Sequence, residues 1–265
     1  MNVIAKHKDL PIGVLGDVHE EWGLIRDKIK YYNLENVIIF QAGDFGVGFG
    51  YNDPREPKKE RKRLLELNLF LKKRNLFLYV VRGNHDSPLF FDGNHNFTNL
   101  IFMQDYDVVE VGEHAILGIG GATSVDRKPN PNFKDYRGKD CPGRKEGIDW
   151  WPEAEKVVYN KAKLAKLAGI DVVITHICPN FVHPPILGGT ALKWAEYDLE
   201  LKNELIAERE LVGKIYDKLN EVNLILFWVY GHYHHTNTQM HDVTNFHLLD
   251  IGEFYEIKFR KGTDE

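Results

Sequence analysis

Ile12-Gly13-Val14-Leu15-Gly16-Asp17-Val18-His19 runs from a mostly apolar tetrad straight into a glycine, a carboxylate and an imidazole. An apolar run that stops this abruptly predicts a short buried strand whose C-terminal end opens into a polar loop. The phrase recurs twice. Val37 to Phe40 is β-rich and leads to Gly43-Asp44, and Leu76 to Val81 leads to Gly83-Asn84-His85-Asp86. Helical patterns fill the gaps. Glu20 to Tyr32 places Trp22, Ile25 and Ile29 on one side. Lys58 to Lys73 gathers Leu64, Leu65, Leu67, Phe70 and Leu71 on its apolar side, with Pro57 suited to its first turn. This β-α-β-α-β series predicts a mainly parallel sheet with right-handed crossovers. Ligands of open α/β sheets bind outside the carboxyl ends of the strands, so the three polar ends are expected to meet in space.

The second half continues in the same manner. Asp107 to Val111 and Ala115 to Ile119 predict a hairpin turning near Gly112 and Glu113. Glu153 to Leu167 and Tyr197 to Leu219 read as helices. Val172 to Ile174 reads as a strand ending at Thr175-His176, and Leu224 to Tyr230 as one ending at Gly231-His232. Phe246 to Ile251 and Phe254 to Phe259 close the series as two more strands. Two stretches, 124–151 and 177–195, are rich in Pro and Gly and lack periodicity. Both follow strand ends, so both are expected to border one cleft. The 265 residues are read as a single α/β domain carrying these two loop insertions.

Composition narrows the function classes. The formal net charge of −5 lacks the basic field of a non-specific nucleic-acid binder. The two cysteines, Cys141 and Cys178, read as free thiols of a reducing compartment. The first ten residues carry Lys6, His7, Lys8 and Asp9 and have no apolar signal-peptide core. No apolar run approaches the about 20 residues that span a bilayer. The expectation is a soluble cytoplasmic protein with no membrane partner.

The strand ends supply Asp17, His19, Asp44, Asn84, His85, His176, His232 and His234. Carboxylate oxygens, imidazole nitrogens and an amide oxygen form a mixed donor set suited to divalent Mn, Fe, Zn, Ni or Co, not to a thiolate site. Leaving His85 aside, seven donors exceed what one ion takes unless a carboxylate bridges two ions. In Asp17-Val18-His19 and in His232-Tyr233-His234, alternate residues of an extended segment would point the same way, with Val18 and Tyr233 turned toward the core. Gly16, Gly43, Gly83 and Gly231 would let the backbone turn sharply at the rim.

Gly16-Asp17-Val18-His19, Gly43-Asp44, Gly83-Asn84-His85-Asp86, His176 after an apolar strand, and Gly231-His232-Tyr233-His234 occur in the order of the calcineurin-like metallophosphoesterase signature. The chain resembles that family from about Ile12 to Gly252. The resemblance implies a four-layer αββα sandwich and a dinuclear centre. Asp17, His19 and His234 would hold one metal, Asn84, His176 and His232 the other, and Asp44 would bridge them. Mn is the first choice of ion. His85 would sit over the substrate phosphate and protonate or stabilise the leaving oxygen. Two cations about 3.5–4 Å apart would clamp the phosphate oxygens and the attacking water for in-line displacement.

The second motif departs from that of the family's protein serine/threonine phosphatases, Gly-Asp-x-x-Asp-Arg-Gly. Val47 and Gly48 stand where the second Asp and the Arg would be, which argues against protein phosphatase activity and leaves open what orients His85. Gly120 to Arg127 followed by Trp150-Trp151-Pro152-Glu153 is similar to a bacterial and phage subgroup and implies a loop over the site.

Asp126, Arg127 and Arg144 are candidate substrate contacts, since guanidinium forks match phosphate oxygens. His183 and His235 read as surface or supporting residues, and His7, His95, His114, His241 and His247 as ordinary polar groups. The basic run Arg55, Lys58, Lys59, Arg61, Lys62 and Arg63 is interrupted by Glu56 and Glu60 and reads as a solvated helix face. Trp150 and Trp151 read as packing the inserted loop onto the body. The leading expectation is a phosphomonoesterase or phosphodiesterase acting on a small or nucleotide-like substrate. A nuclease and a non-catalytic binding scaffold are the alternatives, and the oligomeric state is left open.

Overall fold

The protein is described by a computed structural model over residues 1–49, 57–134 and 140–259. In chain order the strands are β1 (Asn2–His7), β2 (Ile12–Leu15), β3 (Ile38–Gln41), β4 (Phe77–Val80), β5 (Leu100–Phe102), β6 (Asp107–Val111), β7 (His114–Ile119), β8 (Asn130–Lys134), β9 (Asp140–Cys141), β10 (Val172–Thr175), β11 (Phe227–Tyr230), β12 (Asn237–His241), β13 (Thr244–Leu248) and β14 (Phe254–Ile257). The α-helices are α1 (Trp22–Tyr31), α2 (Pro57–Lys73), α3 (Lys161–Leu164), α4 (Gly189–Ala195) and α5 (Leu201–Asn220).

Among the described residues the strands form two large sheets. One has the order β14-β2-β3-β4-β5 and the other β1-β6-β7-β10-β11-β13-β12. β2, β3, β4 and β5 run parallel, as the β-α-β pattern requires, and so do β7, β10, β11 and β13. A separate pair, β8 and β9, lies within the first inserted segment.

Alternation of side chains sorts the core into three layers. Val14, Ile38, Phe40 and Tyr79 on the first sheet meet Val109, Ile116, Val172, Ile174 and Val229 on the second, all buried. Their chain neighbours point the other way. Leu15, Ile39, Leu78 and Val80 pack under Trp22, Ile25 and Ile29 of α1 and Leu64, Leu67 and Leu71 of α2. Val108, Leu117, Val173, Trp228 and Phe246 pack under Leu164 of α3 and Val212, Ile215, Tyr216 and Leu219 of α5. A strand that buries both faces reads as a continuous apolar run, which is what Ile38-Ile39-Phe40 and Val172-Val173-Ile174 are. The result is the expected αββα sandwich. Each fully buried aliphatic side chain in it stabilises the fold by about 1.5–3 kcal/mol.

Several expectations need correction. Glu153 to Leu167 is not one helix; only Lys161–Leu164 is helical. The backbone carbonyl of Glu155 accepts from Ala122 N (2.9 Å) and Arg82 Nη1 (2.9 Å), so it is taken by tertiary bonds that a helix would have to break. The stretch 177–195 contains α4, and the polar N-terminus is strand β1, paired with β6 at the sheet edge. No helix among the described residues is long and apolar enough to cross a membrane.

Candidate metal centre

The site is built where the parallel strands of both sheets end. Asp17 follows β2, Asp44 follows β3, and Asn84 and His85 follow β4. From the other sheet, His176 follows β10 and His232 and His234 follow β11. Asp17, His19, Asp44 and His234 present ligand atoms within 4.8 Å of one another, and so do Asp44, His176 and His232. Asp44 belongs to both groups. Its Oδ1 lies 3.2 Å from His176 Nε2, and its Oδ2 lies 3.8 Å from His19 Nδ1. Asn84 Oδ1 is 3.3 Å from His176 Nε2, which puts it beside the second group.

The ligand-type atoms are aimed by their neighbours. His176 Nδ1 donates to the Ala42 carbonyl (2.8 Å), which fixes the ring and turns Nε2 toward the pocket. Asp17 accepts from His232 N on both oxygens (3.1 Å each) and lies 3.1 Å from His234 Nε2. Ring nitrogens face one another at 2.9 Å for His19 and His234 and at 3.2 Å for His232 and His176. Imidazoles converging tip to tip beside buried carboxylates form a donor set that fits divalent cations.

The i, i+2 spacing works differently from the expectation. The two motifs are not extended: His19 (φ 43°), His232 (φ 71°) and His234 (φ 51°) sit in the left-handed region, as does Asp44 (φ 55°). Left-handed turns, each costing about 1 kcal/mol or more at a non-glycine residue, bring these side chains together. Gly43 takes a left-handed φ of 92°, but the other three rim glycines act otherwise than expected, Gly16 among them, where a Cβ would lie 2.2 Å from Asp250 O. Gly83 and Gly231 serve close approach: a Cβ on Gly83 would lie 2.2 Å from Asp44 N, and one on Gly231 2.1 Å from Asp17 Oδ1. Val18 is buried as expected, whereas Tyr233 lines the cleft.

Asp86 is a brace for the backbone. Its carboxylate accepts from Phe45 N, Gly46 N, Val47 N and Gly83 N at 2.7 to 3.2 Å, which holds the loop carrying Asp44 against the loop carrying Asn84. Burial pushes this carboxyl up to about 6, against the pull of those N–H groups.

Arg144 stands beside His85. Its Nη2 donates to His85 Nε2 (2.7 Å), its Nη1 donates to Ser124 Oγ (2.9 Å) and Asn84 O (3.2 Å), and its Nε pairs with Asp126 (2.5 Å). The guanidinium lies over the Phe49 ring, which also packs on His85. The His85 imidazole is thus an acceptor at Nε2, and its proton is on Nδ1. Its pKa lies well below the ordinary range, first through burial and then through Arg144, with Asp44 opposing.

Of the three expected substrate contacts, Arg144 and Asp126 line the cleft and Arg127 does not. Arg127 is buried, with Nε on Asp198 (2.6 Å) and Nη1 on Glu204 (2.6 Å), so these two donors tie the first inserted segment to α5 and the turn before it. His183 and His235 bond to each other near the rim, Nε2 to Nε2 at 2.8 Å. Of the basic run, Arg63 lies over the Trp22 ring and Arg61 over Phe97; Arg55 lies outside the described residues. Ser124 and Glu155 brace Asn84 and Arg144 through hydrogen bonds, and residue types at strand ends do not reveal them. Ser124 Oγ donates to Glu155 Oε2 (2.8 Å) and accepts from Asn84 Nδ2 (3.3 Å). Ser124 lies within the Gly120–Arg127 pattern, whereas Glu155 falls two residues beyond Trp150–Glu153 and carried no such signal.

The chain matches the family described as calcineurin-like phosphoesterase over residues 10–236. No curated protein matches it significantly. Similar solved structures include a phosphopantetheinyl hydrolase from Mycobacterium tuberculosis (13% identity, 91% of this chain and 90% of that one, TM-score 0.43). A dimetal phosphatase from Danio rerio is another (12% identity, 91% and 87%, TM-score 0.40).

Proposed function

The chain belongs to the calcineurin-like phosphoesterase family, and from that premise we propose that it hydrolyses small phosphoesters with two divalent cations, Mn foremost. Asp17, His19, Asp44 and His234 would hold one cation, and Asp44, Asn84, His176 and His232 the other. The observation that carries this reading is the position of Asp44, a carboxylate shared between two clusters of inward-facing imidazoles. Bound cations would supply Lewis acidity toward the phosphoryl oxygens and the attacking water.

The chain's own groups account for the rest. Burial disfavours a charged Asp44, but the His176 imidazolium outweighs it and holds the carboxyl well below the usual carboxylate range, so it is ionised at neutral pH. Asn84 is oriented by its amide bond to Ser124. Arg144 holds a fixed positive charge at the cleft beside His85, and we assign the pair to the phosphoryl group and the leaving oxygen. The arginine brings the charge, and the neutral ring accepts and can relay a proton. On the Gly120–Arg127 pattern we place the chain with the bacterial and phage members of the family.

Metal-stripped protein given Mn is expected to hydrolyse p-nitrophenyl phosphate, and Asp44→Asn and His85→Ala are each expected to remove that activity. Full activity in both variants would reject the assignment.

A further inference from the structure

The cleft holding Asp44, Asn84, His85, His232 and His234 does not end at those residues. It continues as one cavity of about 610 Å³, a size that takes a ligand well beyond a phosphate group. Its far wall is formed by Val125, Phe133, Pro185, Ile186, Trp194 and Leu205. That wall is a small core in its own right. Trp194, Leu201 and Leu205 are buried in it, with Val125, Phe133 and Ile186 packed against them. Phe133 lies nearly flat on Trp194, with centroids 4.8 Å apart and planes 18° apart. Both inserted segments and α5 contribute, so this apolar surface is assembled by the parts of the chain outside the β-α-β series.

The two ends of the cavity differ in character. Near the carboxylates, Arg144, offset in part by its partner Asp126, and Arg209 supply positive charge, with the buried Glu208 also lining the cavity. Arg209 is buried on the carbonyls of Pro179, Val182 and Pro184 and on the Tyr233 hydroxyl, partners that do not neutralise it. A ligand that fits both ends is anionic at one and apolar at the other. A short polar alcohol would leave the far wall wet, whereas flat side chains such as Phe133, Trp194 and Pro185 suit a ring.

We propose that this wall is the subsite for the alcohol half of the ester, and that the natural leaving group is an aromatic ring system. The proposal rests on the phosphoesterase reading but concerns the part of the substrate remote from phosphorus. Calorimetric titration with methyl-, octyl- and 1-naphthylmethylphosphonate, with and without Mn, tests it. The carbon–phosphorus bond removes any bias from leaving-group reactivity. The naphthyl ligand is expected to bind at least tenfold tighter than the methyl one and tighter than octyl. Trp194→Ala, and Ala191→Phe, which would fill the cavity from its rim, should each bring the naphthyl-to-methyl ratio toward one. Circular dichroism checks that both remain folded.

Equal binding of naphthyl and methyl ligands, octyl binding tightest, or an unchanged ratio in the folded variants would overturn the proposal. Hydrolysis of p-nitrophenyl phosphate without a ring preference would strike the subsite alone. A ring preference without hydrolysis of any ester would strike the phosphoesterase reading alone.

Discussion

Arg144 shows how one side chain takes a place that the second motif leaves vacant. Val47 cannot hold His85, and the ring is met instead by a guanidinium that Ser124, Asn84 and Asp126 keep in position. Lysine offers a point charge without the fork. Arg144→Lys is therefore expected to lower kcat by about 10- to 100-fold, the loss of one charge-assisted bond of about 1.5–3 kcal/mol, measured in steady-state kinetics with Mn. An unaltered kcat would remove Arg144 from the reaction. Asp86→Ala leaves four backbone N–H groups without their acceptor and is expected to cost about 3 kcal/mol or more in urea unfolding. His176 gives a pH dependence. Burial disfavours its imidazolium, but Asp44 and Asp17 outweigh burial and lift the group to about 9. A raised imidazole pKa stabilises the metal-free fold fully below the ordinary 6.5, and that contribution is lost as pH rises through about 9. Melting of stripped protein should thus fall between these pH values more steeply than in His176→Gln; parallel curves would contradict it. The candidate ligands were legible because few residue types bind divalent ions and each followed a β-rich run. The left-handed backbone at His19, Asp44, His232 and His234 was not, since φ depends on contacts across the fold. Nor was the burial of Arg127, which the distant Asp198 and Glu204 decide.

The elements read most readily from sequence were those with a buried stripe or a doubly buried run. α2 shows the first: Leu64, Leu67 and Leu71 recur at helical spacing and all lie buried against the first sheet. Leu67→Ala should cost about 2–5 kcal/mol in urea unfolding, and less than 1 kcal/mol would mean that the helix packs otherwise. Elements held by long-range bonds were not legible. β1 alternates exposed with half-buried residues and is ordered by pairing with β6. The stretch 153–158 has helix-forming residues, but its carbonyls serve Ala122 and Arg82, and the Glu155 side chain serves Ser124 and Trp150. Propensity yields wherever tertiary partners claim the backbone first.

For the molecule as a whole, the two sheets meet at the centre. Asp17, Asp44 and Asn84 come from one, and His176, His232 and His234 from the other. A cation held between them binds only the folded chain. Mn at 100 times its Kd should therefore stabilise the fold by about 2.7 kcal/mol, and EDTA should reverse the accompanying rise in Tm. A Tm indifferent to both would mean that the sheets are not joined through metal. The pairs that close the centre, His19 with His234 and Asp17 with His232, are 215 residues apart in sequence. On the ribosome, chains emerge N-terminus first. Asp17, Asp44 and Asn84 leave the exit tunnel long before their counterparts are translated, so no nascent intermediate short of His234 could assemble the proposed metal centre. Cations would therefore meet a complete donor set only once His234 has been translated, and a product truncated before it would lack at least one donor of the first group.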